Sequence, residues 1–366
     1  MTNDTKNLAE LKRDFHKIYY SEIAPIMVEY EKKRKSVFLK IVMVILVMFI
    51  LIPLLIWGVM LFPIPENLIA LIVLALLISF FYCPMYINDL CKDFRKELKN
   101  ACMGRVLDAF GIMTWYHGES KLSNSRIVKS ELFSSFNAQT VDDVFVGMYK
   151  SVKFIISECK LSDVTSGGRH SRVHNVFKGV IIDFASNKDI SDTTIVSTKG
   201  DVDVKNYSLS FITTMLLFVP GIVQDISLWI RIISSIVFGI LLVVGICVNL
   251  VLKKDSGLNR VTLEDVEFNK HYNVYSSDEI EARYLLTTTF MDRFKNLQTS
   301  FGARNAKCSF YGKNIMFAIS TNKNIFEFGN VFTPLNRTEH MQTFFNELIS
   351  ILAMIDYFKL NEKSGL

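Results

Sequence analysis

Apolar positions along this chain fall into three patterns, and each predicts a different kind of element. Residues 41–62 form 22 consecutive positions without a charged side chain, and residues 68–87 form another 20. About 20 residues at ~1.5 Å rise cross a hydrocarbon layer of roughly 30 Å, so both runs predict membrane-spanning helices. Neither run keeps the polar stripe of a core helix. The link Pro63-Ile64-Pro65-Glu66-Asn67 leaves room only for a tight turn, which makes 38–88 a transmembrane hairpin. A second apolar zone covers 207–252. Its latter part, 232–252, reads as a full span with Asn249 near its inner end. The former, 207–223, carries Ser208, Ser210, Thr213, Thr214 and Pro220, and is either a minimal span or a re-entrant segment.

The second pattern is helical and flanks the first hairpin. Leu8, Leu11, Phe15, Ile18 and Tyr19 recur at three- and four-residue steps within 1–37, and Pro25 is expected to interrupt or kink that helix. Leu90, Phe94, Leu98, Cys102, Val106 and Phe110 recur at fours, predicting a helix over 89–115 within a membrane-proximal helical region, 89–139. The two helices leave adjacent ends of one hairpin. They either pack as a stalk or lie separately on the headgroups.

The third pattern has a period of two. Residues 153–161 read as a strand, Thr165-Ser166-Gly167-Gly168 as a turn, and 172–184 as the partner strand. Shorter β-rich runs occupy 193–197, 261–263 and 272–275, and 308–319 reads as a hairpin about Tyr311-Gly312-Lys313-Asn314. Ser276-Ser277-Asp278-Glu279 has capping-box spacing and opens a helix running through Phe294. A last helix covers 338–360, with Met341, Phe344, Phe345, Leu348, Ile351, Leu352 and Ile355 on one side. The fold class is therefore membrane α-helical hairpins plus an α+β cytoplasmic domain with a mainly antiparallel sheet and a C-terminal helix. Its two parts, 140–206 and 253–366, are separated by the second membrane hairpin.

Charge orients this plan. Basic clusters at 31–35 with Lys40, at Lys92, Arg95, Lys96 and Lys99, at Lys199 and Lys205, and at Lys253 and Lys254 flank the spans. The connections 63–67 and 224–227 carry no Lys or Arg. The positive-inside rule then places both termini and 89–206 in the cytoplasm of a multi-pass protein of the cell (inner) membrane. Arg231, near the outer end of the fourth segment, is expected to snorkel. The charged first 37 residues do not read as a signal peptide, so the first span would serve as an uncleaved anchor. The six cysteines form no C-x-x-C pair, as expected of reduced thiols.

Composition narrows the function classes. The chain is 50% hydrophobic and 21% charged, with 41 Lys+Arg against 36 Asp+Glu, too small an excess for a nucleic-acid binder. Residues 255–366 hold 12 basic and 13 acidic side chains, which also argues against nucleic acid. Phosphate-binding glycine loops and a G-x-S-x-G elbow are absent, and no catalytic residue, metal site or cofactor is predicted. The best polar cluster is Glu264, Asp265 and Arg283. Arg283 lies four residues after Glu279 and either pairs with it or pins the preceding acidic segment. Arg169, His170 and Arg172 form a basic loop that is either a plain turn or a contact with anionic lipid. His170 and His174 lie about 13 Å apart if extended, too far to share a metal.

Several strings carry a resemblance: 15–19 (FHKIY), 142–147 (DDVFVG), 176–180 (VFKGV) and, most specifically, 261–287. In these the chain resembles the bacterial membrane protein family catalogued as domain of unknown function 3137. The resemblance implies an N-terminal transmembrane hairpin before an α+β region, and no biochemical activity; the zone 207–252 is an addition to that pattern. The expected function is a membrane-anchored cytoplasmic binding or scaffold module. Its partners would be the lipid bilayer and a protein or a second copy of the chain. The alternatives are a transport or channel component built on four apolar segments, and an enzyme using the 264–283 cluster.

Overall fold

The computed structural model describes residues 7–61, 65–167, 170–199, 257–300, 303, 305–335, 338–358 and 360. The second apolar zone, 207–252, lies outside the described residues, so two of the four expected spans are in view. Helix α1 (Leu8–Ile18) starts at a capping box in which the Asn7 backbone N–H donates to Glu10 Oε2 at 3.0 Å. A π-helical turn (Tyr19–Ile23) leads straight into α2 (Ala24–Leu61). Pro25 therefore does not end the helix. It has no N–H to donate and its ring needs room, and the widened turn ahead of it meets both demands.

Helix α3 (Glu66–Phe110) runs for 45 residues and stops at Gly111, whose φ of 63° closes it while its N–H bonds Leu107 O at 2.8 Å. The expected helix over 89–115 is thus corrected: it ends at Phe110, and strand β1 (Met113–His117) follows at once. Within α2 and α3 lie two helical stretches long and apolar enough to cross a membrane. Their most apolar windows are 6% and 0% buried, so they are not helices of a protein core. Phe49, Trp57, Phe81 and Tyr82 all face outward there.

Beyond the apolar windows the same helices turn inward. Leu11, Phe15 and Tyr19 of α1 pack with Phe94, Leu98, Cys102 and Val106 of α3, all buried in one core. The two flanking helices therefore form a packed stalk. Phe15 stacks at 3.8 Å on Phe345 of α8 (Glu339–Tyr357), and Phe110 sits 5.0 Å from the same ring. Helices α1 and α3 are thereby both joined to α8 through one aromatic side chain, Phe345.

Among the described residues, one antiparallel sheet of seven strands carries the rest. Its strands are β1, β2 (Ala138–Tyr149), β3 (Val152–Gly167), β4 (His170–Thr198), β5 (Asn259–Val261), β6 (Tyr272–Ser276) and β7 (Asn305–Ser320). The order is β1-β2-β3-β4-β6-β5, with β7 on the other edge of β4. The long β4 pairs with β3 through its first half and with β6 through its end, so the predicted run 193–197 is a continuation of one strand.

The expected hairpin over 308–319 is a correction. Residues 305–320 form a single strand that pairs with β4 on both sides of Gly312. Four residues of β4, between Ala185 and Ile190, bulge opposite Asn314 and Gly312. The left-handed φ of Gly312, 58°, thus serves a bend rather than a reversal.

The capping expectation shifts as well. Asp278, not a serine, caps α6 (Glu279–Leu285), accepting from the N–H groups of Ile280 and Glu281. The helix then breaks before α7 (Thr288–Ser300), because Thr287 Oγ1 accepts from Phe290 N–H and starts a new one. Short helices α4 (Asn124–Lys129) and α5 (Val266–His271) complete the set. The main core lies between one sheet face and the helices, and a smaller one, centred on Leu161, Ile181 and Tyr311, lies on the other face under 122–132.

Candidate functional site

A buried acidic cluster occupies the junction where the stalk meets the sheet. Its placement begins with a register shift: Val141 pairs with Cys159 and Val144 with Ser157, so Asp142 and Asp143 together face Glu158. Two residues against one is a β-bulge, a device that re-aims side chains. Asp143 points into the core, and the β1–β2 pairing sets His117 opposite it and Trp115 two residues along the same face.

Three elements close over these side chains. Lys99 of α3 places Nζ 2.6 Å from Asp143 Oδ2 and 3.5 Å from Glu327 Oε1. Trp115 Nε1–H donates to Asp143 Oδ1 at 2.8 Å. The segment after β7 contributes Glu327 and the Ile325 N–H, which donates to Glu158 Oε1 at 3.2 Å. Among the described residues, Glu158 Oε2 is buried without a hydrogen-bond partner. His117 Nδ1 stands 3.5 Å from Asp142 Oδ1 and 3.5 Å from Asp143 Oδ1, at the cluster's solvent side.

Four carboxyl groups thus surround one ammonium and one imidazole. Burial works against the Lys99 charge, but Asp143 and Glu327 more than offset it and hold the ammonium above the ordinary lysine range. Burial, reinforced by the charges of Asp143 and Asp142, pushes the Glu158 carboxyl up to about 8. Burial also raises Glu327, against the pull of Lys99 and Arg95. The arrangement can therefore hold a proton on Glu158 at neutral pH, and it carries an excess of acid that attracts a cation.

A second link joins stalk and domain nearby. Arg34 grips Glu31 with Nε and Nη2, each at 2.8 Å, and donates from Nη1 to Val331 O at 2.7 Å. Glu31 in turn accepts from Leu335 N–H at 2.9 Å. On the opposite sheet face, Asp183 is buried beside Arg126 Nη1 at 3.0 Å and Tyr311 OH at 3.3 Å. Its carboxyl is pushed up to about 6 by burial, against the opposing charge of Arg126.

The residues singled out from sequence lie elsewhere. Asp265 caps α5, accepting from Phe268 N–H at 2.9 Å, and pairs with Lys295 at 3.1 Å. Arg283 bonds Glu279 at 2.7 Å and Thr262 O at 3.0 Å, whereas Glu264, almost fully exposed, stands 3.9 Å away. These contacts are caps and ion pairs that tie α5 to α7 and α6 to the segment after β5. His170 pairs through its backbone with Gly167 at the end of the β3–β4 ribbon, and Arg172 sits opposite Thr165. Gly167 is nine residues from Glu158 along β3, roughly 30 Å. Arg169 lies outside the described residues.

Sequence reasoning did not single out Lys99, His117, Asp143, Glu158 or Glu327 as site residues; Lys99 entered only as one of the basic residues flanking a span. The one visible signal was the pair Asp142-Asp143 inside a strand-like run, since two adjacent acids cannot both face solvent on a regular strand.

The family model for a protein of unknown function (DUF3137) matches residues 175–360, half of the chain. This chain belongs to the DUF3137 family. The match takes in most of β4 and everything described after it through Leu360, so Glu327 falls inside it and Lys99, His117, Asp143 and Glu158 before it. Among curated proteins, none matches the sequence. Among solved structures, the crystal structure of the mycobacterial trehalose monomycolate transport factor A, TtfA, is similar at 8% identity and a TM-score of 0.28. The similarity covers 66% of this chain and 86% of that one, and is too slight to bear on fold or function.

Proposed function

We propose that this DUF3137 protein is a membrane-anchored binding or scaffold module whose α+β domain is held at a fixed position beside the bilayer. The observation that carries this is the continuity of α3. One helix passes from an apolar stretch with exposed side chains into the domain core, where Leu98, Cys102 and Val106 are buried and Lys99 pairs with Asp143. The Arg34–Glu31 link to Val331 and Leu335 does the same for α2. Two such ties favour a platform over a loosely tethered domain. The basic clusters at 31–35 and 92–99 support a multi-pass topology with both termini and the domain in the cytoplasm.

The anchor is tested by alkaline carbonate extraction and by protease added to sealed right-side-out cells. The full chain should stay with the membrane and its domain should be spared; release into the wash, or digestion of the C-terminal region, overturns the proposal. Affinity capture of the full chain from cross-linked membranes should then recover a recurring protein partner or further copies of itself. Catalytic turnover without any such partner would replace the module with an enzyme.

A further inference from the structure

We propose that His117, Asp142 and Asp143 form a binding site for a divalent transition-metal ion of the zinc class, with water in the fourth position. One ligand atom from each residue lies within 4.8 Å of the others. His117 Nδ1 is 3.5 Å from both aspartate oxygens. That is long for an N–H···O hydrogen bond, which prefers about 2.7–3.2 Å. It fits a shared metal instead, because ligands at ~2.1 Å from a tetrahedral ion stand about 3.4 Å apart.

The fold builds this arrangement deliberately. The bulge against Glu158 turns two consecutive aspartates toward one histidine, which a regular strand cannot do. Asp143 is fixed from behind: Trp115 Nε1–H occupies one lone pair of Oδ1 and Lys99 holds Oδ2, leaving the second lone pair of Oδ1 toward His117. Supporting bonds of this kind orient metal ligands. The His117 and Asp142 side chains are 37% and 41% exposed, which leaves an entry path from solvent.

A buried polar atom without a partner among the described residues lies beside this site, on Glu158. It is 7% exposed and sits directly across the strand pair from the two aspartates, yet Oε2 has no hydrogen-bond partner among the described residues. Lys99 alone does not balance Asp142, Asp143 and Glu327, and a divalent ion at the bulge would supply the remainder. One imidazole nitrogen with two carboxylate oxygens suits zinc, cobalt or manganese better than calcium or magnesium, which take oxygen-only sets of six or more.

The test uses untagged full-length protein in micelles, stripped with chelator and titrated with Co2+ and Zn2+. One Co2+ per chain should bind with the strong visible bands of a tetrahedral ion, and Zn2+ should displace it while Mg2+ should not. His117→Ala and Asp142→Asn, both at partly exposed side chains, should abolish the bands with the far-ultraviolet dichroism unchanged. Trp115→Phe should weaken binding about 10-fold or more through Asp143. Absence of stoichiometric binding, the pale spectrum of an octahedral ion, or bands that persist in both His117→Ala and Asp142→Asn would overturn the site.

Discussion

Lys99 Nζ and Asp143 Oδ2 lie 2.6 Å apart with neither side chain open to solvent, and they join the helix that leaves the apolar hairpin to the second strand of the sheet. Removing one partner leaves an uncompensated buried charge, at a cost of about 3–5 kcal/mol. Lys99→Ala should therefore lower the unfolding midpoint sharply, as read by near-ultraviolet dichroism in micelles. The double change Lys99→Met with Asp143→Leu should regain most of that loss, because no lone charge remains. Equal midpoints for the single variant and the parent would show that the pair does not hold the junction.

The Arg34 link predicts a local effect. Its guanidinium serves Glu31 with two bonds and Val331 O with a third, a fork that an ammonium cannot reproduce. Arg34→Lys should cost about 1.5–3 kcal/mol. Hydrogen exchange should quicken over 329–335 and stay unchanged in β3. Uniform quickening across the sheet would show that the link stabilises the whole domain instead.

Glu158 predicts a pH dependence. Its carboxyl is raised to about 8 in the folded chain by burial and the nearby Asp143 and Asp142, from an ordinary value near 4.5. Folding therefore favours its protonated form, and the stability it contributes is fully present below pH ~4.5 and lost as pH rises through about 8. In chelator-treated protein Glu158→Gln should flatten the decline between those values and be the more stable protein at pH 9. A variant less stable than the parent at pH 9 would show that the ionised form is the one the fold prefers.

The exposed 264–283 cluster should separate into strong and weak members. Asp265→Ala removes a helix cap, worth about 1 kcal/mol. Glu264→Gln should change stability by well under ~0.5 kcal/mol, since the group is almost fully exposed and 3.9 Å from Arg283. Melting curves of the two variants check the order, and a larger loss for Glu264→Gln would reverse it.

Gly179 predicts the clearest backbone effect. It pairs with Ser320, and a Cβ added there would overlap the Ile319 carbonyl oxygen at one end of the β4–β7 pairing. Gly179→Ala should cost about 3 kcal/mol or more, or prevent accumulation of folded protein. A melting temperature equal to the parent's would show that the two strands can separate locally without penalty.

Local pattern determined much of this architecture. The charge-free runs over 41–62 and 68–87, the four-residue spacing from Leu90 to Phe110 and the period of two over 153–161 each reflect an interaction within one element or between chain neighbours, so they are written in the order of residues. The same holds for the apolar face of the last helix, where Met341, Phe344, Leu348 and Ile355 are all buried. Thr165, Ser166 and Gly167, expected as a turn, instead continue β3 and pair with Arg172, Ser171 and His170, while Gly168 lies outside the described residues. Pairings between distant strands decided the remainder. Tyr311-Gly312-Lys313-Asn314 has turn composition, yet the long β4 offers partners on both sides of Gly312 and makes it a bend. Likewise Lys99, His117, Asp143, Glu158 and Glu327 are unremarkable at their own positions. They meet because a single bulge shifts β2 against β3 while a helix and a loop 44 and 184 residues away from Asp143 in sequence close over it. A buried charge is tolerated only where its partners converge, and that convergence is a property of tertiary packing.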